Sequence, residues 1–181
     1  MMIWKGSNKM KNKFLKLKGK ERKDKKFYSQ EQISAPNFTD DYGRLVPPGY
    51  VVFDFDAQPY IDKISNIINN LNLKCKKLTT TRGCHFMFRT TESKIKCKTH
   101  EFNWIGLQCD IKACGVEEQN KIVYQAIRVN GITRKEEYLG GATDDEELDY
   151  APIWLYHIPK KKDQIDLTSD HEGERNSMFH R

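Results

Sequence analysis

An α+β fold with an antiparallel or mixed sheet is what this 181-residue sequence predicts, on the strength of three observations. Residues 50–56 form a run of β-branched and aromatic side chains, which is typical of a buried strand. Residues 61–71 place apolar side chains three and four positions apart, which is typical of an amphipathic helix. Residues 84–89 and 106–112 alternate between apolar and polar side chains, as two further strands do. We therefore expect one α+β domain with a single core.

The segments on either side of this middle part are less regular. Residues 30–48 contain several prolines and other breakers, so we expect loops there with at most a short helix. The Asn-Gly pair at 130–131 is the strongest short hairpin signal in the chain, and it joins residues 121–129 to residues 132–139. Residues 151–158 are aromatic and bounded by prolines, and we expect them to pack as a closing strand or lid.

Positive charge is concentrated at the start of the chain. Residues 1–26 hold eleven basic and two acidic side chains, a net charge of +9, whereas the remaining residues have a net charge of −3. A basic arm on a mildly acidic body favours a polyanionic partner. Nucleic acid is favoured over a membrane surface, because the arm has too few large apolar side chains to form a lipid-facing stripe. The alternative is a solvated tail that only aids solubility.

Membrane-spanning and secreted proteins are the classes that the composition disfavours. No run of eighteen apolar residues is present, and lysines occupy the place where a signal peptide carries its apolar stretch. We therefore expect a cytoplasmic protein with no membrane partner. The five cysteines include no C-x-x-C pair, so neither a disulfide framework nor a zinc ribbon is expected.

Three aspartates form a candidate metal site. Asp54 and Asp56 lie two positions apart on a predicted strand, so both carboxylates would point to one side. Two like charges this close favour a divalent cation between them, although a strand end whose acids simply meet water is the alternative. Asp110 shares a face of a second strand with Lys112, and a third carboxylate would complete a set for two metal ions about 3.5–4 Å apart. Lys112 would neutralise a phosphate or, alternatively, pair with Asp110.

A candidate phosphate-binding segment precedes His85. Residues 79–83 supply three hydroxyls, the guanidinium of Arg82, and Gly83, a residue that lets backbone approach a ligand closely. His85 shares a strand face with Arg89. Two nearby arginines favour a triphosphate contact for His85 over the alternative of a purely structural histidine.

These motifs, in this order, resemble a known family. Residues 51–56, 80–88 and 109–112 resemble the D-x-D, x-x-H and h-D motifs of the archaeo-eukaryotic primase superfamily, and are most similar to the bifunctional primase-polymerase domains of phages and mobile elements. Residues 172–179 resemble the E-G-x-R-N signature that opens the helical region following such domains, so we expect a piece of a longer protein. Many members of the family carry serine where this chain has Gly83.

The resemblance implies a DNA primase and polymerase that synthesises and extends primers on single-stranded DNA. It implies Mg²⁺ or Mn²⁺ as cofactor, with two divalent ions, and template, primer strand and NTP or dNTP as partners, with a fused or separate replicative helicase. Asp54, Asp56 and Asp110 would be the catalytic residues that hold the metals, and His85 would contact the triphosphate. From their spacing we add three further candidates for phosphate binding. These are Arg82, Lys112 and Arg128.

The resemblance also implies an arrangement of domains. Residues 1–48 would form the basic arm and a segment of a small N-terminal α/β subdomain. Residues 49–165 would form the catalytic domain, with an RRM-like sheet and helices on one side. Residues 166–181 would form a linker and the start of a helical C-terminal region.

Two other functions stay open at this point. A non-catalytic module for single-stranded nucleic acid could use Trp4, Trp104 and Trp154 as stacking platforms. A phosphatase of the haloacid dehalogenase type also opens on a strand that ends in D-x-D, but it expects threonine where this chain has Gln58. A replication-initiator nuclease is disfavoured, because it needs a second histidine close to His85.

Overall fold

The computed structural model describes residues 13–91, 95, 97–113 and 122–158. In these residues the chain forms two antiparallel sheets, one helix of four residues and one of thirteen, which confirms the α+β class. The elements are β1 (Phe14–Lys18), β2 (Glu21–Arg22), α1 (Gln30–Ile33), β3 (Asp41–Leu45), β4 (Tyr50–Phe55), α2 (Gln58–Asn70), β5 (Lys76–Thr79), β6 (Cys84–Arg89), β7 (Lys98–Phe102), β8 (Gln108–Ala113), β9 (Tyr124–Val129), β10 (Ile132–Thr133) and β11 (Glu136–Tyr138). The signature at 172–179 lies outside the described residues.

The larger sheet has six strands in the order β11-β5-β6-β4-β8-β7. The strands predicted at 50–56, 84–89 and 106–112 are confirmed as β4, β6 and β8. All six residues of β4 are buried. Because side chains alternate across a strand, Phe53 and Phe55 point to one face of the sheet and Asp54 points to the other.

Helix α2 covers the apolar face of the larger sheet. The helix predicted from residue 61 is confirmed, and it begins three residues earlier, at Gln58. Its buried residues, Ile61, Ile64 and Ile68, follow the spacing of one helix face and belong to the core cluster that contains Phe53. Fully burying each of these side chains contributes roughly 1.5–3 kcal/mol. The helix therefore closes one face of the sheet, and the site lies on the other.

The smaller sheet has five strands in the order β10-β9-β3-β1-β2. It includes β1, so the described half of the predicted basic arm is folded, with Leu15 and Leu17 almost completely buried. Lysines alternate with these leucines, and this charge conceals a two-residue period in the sequence. Strand β3 likewise lies in the segment where loops were expected.

The Asn-Gly hairpin is confirmed, but its second arm differs from the prediction. Asn130 and Gly131 both have positive φ, of 52° and 76°, as a tight hairpin turn requires. Strand β10 has only two residues, and the chain then crosses to the larger sheet, where β11 pairs with β5. The crossing joins the two sheets and carries Arg134 past the face of the larger sheet that bears Asp54.

Residues 151–158 do pack against the core, through a short 3-10 turn rather than a strand. The turn spans Ile153–Leu155, and Leu155 is fully buried. The ring of Tyr156 meets the ring of Phe53 edge-on, with centroids 5.4 Å apart. Within the described residues, no helix has both the length and the apolar character needed to cross a bilayer.

Candidate active site

Three of the predicted site residues form one row across the larger sheet. Asp54 on β4 lies directly opposite His85 on β6 and directly opposite Asp110 on β8. Partners in adjacent strands project from the same face, so the three side chains stand side by side on the face away from α2. The row depends on the register of two strand pairs, which brings together residues that are 25 to 56 positions apart.

Asp54 is buried and ionised, and one of its two oxygens is uncommitted. Its side chain accepts hydrogen bonds at Oδ2 from His85 Nε2, at 3.1 Å, and from the ammonium of Lys112. Burial by itself raises the pKa of Asp54, but the His85 hydrogen bond and the nearby positive charges outweigh it and lower the pKa to about 2. Asp54 Oδ1 is also buried and has no hydrogen-bond partner among the described residues.

The three predicted aspartates border one cleft of about 150 Å³, which we call the acidic cleft. Asp110 is oriented there by the backbone N–H of His100, which donates to its Oδ1 at 2.8 Å. His100 has a φ of 54° and lies at an irregularity in the β7–β8 pairing. The cleft is lined by Asp54, Asp56, Ala57, Tyr60, His100, Gln108, Cys109 and Asp110.

The carboxylate oxygens of the acidic cleft are of the type that binds a hard divalent cation. Carboxylate oxygens are the ligands that Mg²⁺ and Mn²⁺ prefer, and the buried Asp54 Oδ1 is an acceptor without a partner in the described part of the chain. No group of three metal-ligating side chains is already gathered closely enough to hold an ion within the described residues. Asp56 is exposed just beyond the end of β4.

Lys112 pairs with Asp54, on the neighbouring strand, rather than with Asp110 on its own strand. Lys112 lies two positions from Asp110 on β8, so its side chain emerges on the same face and reaches across to β4. Its ammonium offsets the charge of a buried carboxylate, which would otherwise be costly to ionise. The sequence predicted a positive group beside the acids, and Lys112 is that group. Its ion-pair partner is Asp54 rather than Asp110.

His85 is held on both sides. Its side chain is 7% exposed, and Nε2 faces Asp54 while Nδ1 lies 3.3 Å from the amide nitrogen of Gln125. Burial lowers the pKa of His85, although the Asp54 carboxylate raises it in part. Gln125 was not identified from the sequence, because nothing in its neighbourhood on β9 marks it as polar and buried.

The turn between β5 and β6 packs so closely on β4 that residue 83 must be glycine. A Cβ at this position would lie 2.2 Å from the carbonyl oxygen of Phe55, so no other residue fits without a backbone shift. The glycine was expected to let backbone approach a ligand, and the backbone that it approaches is that of β4. Thr80 ties the turn together by bonding both the N–H and the carbonyl of Gly83. Arg82 is exposed at the tip of this turn.

The two arginines near the hairpin differ in their surroundings. Arg128 lies on β9 opposite Tyr42, where its charge acts on Asp41, and it does not line the acidic cleft. Arg134 interacts electrostatically with both Asp54 and His85. Burial lowers the pKa of Arg134, and Asp54 raises it. Arg134 was missed by the sequence analysis, since it lies beyond the hairpin turn, and only the crossing between sheets brings it to the site.

The tryptophans proposed as stacking platforms are not equivalent. Trp104 is 55% exposed, in the turn between β7 and β8. Trp154 is partly buried against the main core cluster, and Trp4 lies outside the described residues. Only Trp104 therefore offers an open ring within the described part of the chain.

No protein-family model, curated protein or solved structure gives a significant match to this chain. What the protein does must therefore be inferred from its own side chains. They place the carboxylates of Asp54, Asp56 and Asp110 at one cleft, with Lys112 and His85 bonded to Asp54 and Arg134 acting on Asp54 electrostatically.

Proposed function

We propose that this chain is a DNA primase-polymerase, a template-directed nucleotidyltransferase that acts in the replication of a phage or mobile element. The observation that carries the proposal is the row of His85, Asp54 and Asp110 across three strands, with Asp56 lining the same cleft. An RRM-like arrangement of the larger sheet and α2 belongs to the same proposal. Its substrates are NTP or dNTP, a primer strand and a single-stranded DNA template, and its partner is a fused or separate replicative helicase.

Asp54, Asp56 and Asp110 would hold two divalent cations, Mg²⁺ or Mn²⁺. When bound, these ions would supply positive charge to the attacking and leaving oxygens of nucleotidyl transfer. The residues of the chain itself prepare this site. His85 and Lys112 both bond Asp54 Oδ2, which orients the carboxylate and leaves Oδ1 directed to a ligand.

The incoming triphosphate would meet a set of positive or donor groups beside the acids. His85 and Lys112 lie within the row itself, and Arg82 is exposed at the turn that packs on the end of β4. Charged donors of this kind suit phosphate oxygens. Arg134 extends the set from the crossing between the two sheets, whereas Arg128 is the weakest of the predicted contacts because Asp41 is its charged neighbour.

The test measures incorporation of labelled nucleotide on primed and unprimed single-stranded templates with Mg²⁺ or Mn²⁺. We expect Asp54→Asn and Asp110→Asn each to lower incorporation by about a thousandfold or more, because several kcal/mol of charge stabilisation depend on these ligands. The matched control is Asp62→Asn, an exposed carboxylate on α2 that bonds Gln58. Binding of Mn²⁺, followed by electron paramagnetic resonance, should weaken in the first two variants and not in the control.

The outcomes separate the proposal from its alternatives. If wild type and Asp54→Asn incorporate equally little while both bind single-stranded DNA, the polymerase proposal fails. The exposed ring of Trp104 favours a single-strand-binding module in that case, and Trp104→Ala should then weaken DNA binding. Release of phosphate from a simple phosphomonoester, dependent on Asp54, would indicate a phosphatase instead.

A further inference from the structure

We propose that Gln125 and Arg44, two residues of the smaller sheet, fix His85 as the tautomer that carries its hydrogen on Nε2. They are thus positioning residues for the site, and their importance for nucleotide binding rests on the proposed function. The tautomer itself does not rest on it. The proposal follows from a chain of contacts in which each group has only one possible role, running from Glu136 to Asp54.

The first contact holds Arg44 in place. Arg44 on β3 is almost completely buried and makes a two-pronged pair with Glu136 on β11, with Nη2 2.5 Å from Oε1 and Nη1 3.2 Å from Oε2. Parallel bonds of this kind between a guanidinium and a carboxylate fix the plane of the guanidinium. The position of Nη2 is therefore set by a residue of the other sheet.

The second contact orients the amide of Gln125. Its Oε1 lies 3.1 Å from Arg44 Nη2, and the Gln125 side chain is itself 2% exposed. A guanidinium has donors only, so the atom that faces Arg44 must be the amide oxygen. The amide nitrogen of Gln125 must then point the other way, toward His85.

The third contact sets the hydrogen on His85. The Gln125 amide nitrogen lies 3.3 Å from His85 Nδ1, and an amide nitrogen can only donate. Nδ1 must therefore accept, without a hydrogen of its own. In a neutral ring the hydrogen is then on Nε2, which lies 3.1 Å from Asp54 Oδ2, an acceptor.

This tautomer has a consequence at the acidic cleft. The donor at Nε2 joins Lys112 on Asp54 Oδ2, so both donors lie on one oxygen and Oδ1 is the oxygen left for a cation. The opposite tautomer would instead place the lone pair of Nε2 against Asp54 Oδ2, and this hydrogen bond would be lost.

The experiment determines directly which ring nitrogen of His85 carries the hydrogen. Long-range ¹H–¹⁵N correlation spectra of protein labelled on histidine distinguish the two tautomers, and His85→Gln assigns the resonances of His85 among the five histidines. In wild type we expect hydrogen on Nε2 and none on Nδ1. Gln125→Glu keeps the size and the Arg44 contact but replaces the donor with an acceptor, so we expect it to place hydrogen on Nδ1. Gln30→Glu, on the exposed surface of α1, is the control for added charge.

Hydrogen on Nδ1 in wild type would overturn the proposal, and this result needs no variant. An unchanged Nε2 tautomer in folded Gln125→Glu would overturn it as well. If the hydrogen moves as expected and the wild type polymerises, the KM for nucleotide should rise about tenfold or more in Gln125→Glu, because Asp54 would lose the Nε2 donor that holds its carboxylate in place. If the hydrogen moves but the wild type incorporates no nucleotide, the tautomer assignment stands and the proposed function fails.

Discussion

The two sheets differ in how the chain builds them and in what they contribute to the site. Five adjacent strands of the larger sheet, β5, β6, β4, β8 and β7, come from residues 50–113, and three of them carry His85, Asp54 and Asp110 in register. The smaller sheet is assembled from three distant parts of the chain. It supplies Arg44 and Gln125, neither of which lines the acidic cleft.

The residues that would do chemistry lie in the larger sheet, whereas Arg44 and Gln125, which hold His85 in place, lie in the smaller sheet. The larger sheet presents ionisable groups on a face whose reverse is closed by α2. The smaller sheet adds Arg44, a buried cation that is bonded to Glu136 and Gln125. The smaller sheet should therefore affect the site through stability and orientation, and the larger sheet through charge.

The largest expected effect tests whether the smaller sheet is an integral part of the fold. Leu15→Ala should lower the free energy of unfolding by about 2–5 kcal/mol, because Leu15 on β1 is completely buried. Lys18→Ala, at the exposed end of the same strand, is the matched control and should change it little. Urea unfolding followed by circular dichroism measures both. A cost for Leu15→Ala below about 0.5 kcal/mol would mean that residues 14–18 behave as a free arm after all.

A second prediction concerns the charge held by the larger sheet. Folding lowers the pKa of Asp54 to about 2. A carboxyl with a lowered pKa stabilises the folded state above its unfolded pKa of about 3.9, and this contribution is lost as the pH falls through the folded pKa.

In metal-free protein we therefore expect Asp54 to contribute about 2 kcal/mol of stability at pH 5 that has largely gone by pH 2. The measurement is the pH dependence of urea unfolding in wild type and in Asp54→Asn, which should lack this component. Asp62→Asn should keep the wild-type profile. Identical slopes for wild type and Asp54→Asn between pH 5 and 2 would contradict the ion pair with Lys112.

The smallest expected effect concerns two arginines, Arg134 in the crossing between the sheets and Arg128 on β9. Arg134→Gln should raise the KM for nucleotide about fivefold, a ratio that corresponds to roughly 1 kcal/mol, because Arg134 acts electrostatically on Asp54 and His85. Arg128→Gln, beside Asp41, is the matched comparison and should change the KM by less than about twofold. The reverse order would show that substrate reaches the smaller sheet at β9.

Much of the larger sheet was predictable because its pattern is local. A strand is predicted by the apolar run of β4 and by the alternation in β6 and β8, and a helix by the spacing of the isoleucines in α2. Each of these patterns lies within a few consecutive residues. Asp54, Asp110 and His85 could be selected from the same pattern, since each interrupts or ends an apolar strand with an ionisable group.

The smaller sheet was not predictable in the same way. Strand β1 reads as a basic segment because lysines surround Leu15 and Leu17, and β3 is polar and contains Gly43. Their burial depends on strands that lie about eighty residues apart, such as β3 and β9. Gln125 shows the same limit, because a neutral amide has no sequence pattern that separates a buried role from an exposed one.

The sequence by itself determined the α+β class, strands β4, β6 and β8, helix α2 and the identity of the acids, because periodicity and residue chemistry act over a few positions. The tertiary structure decided the register that aligns Asp54 with His85 and Asp110, the pairing of Lys112 with Asp54, and the approach of Gln125 and Arg44 from a second sheet. These contacts join residues far apart in the chain, and only the packing of the whole sheet brings them within hydrogen-bond distance.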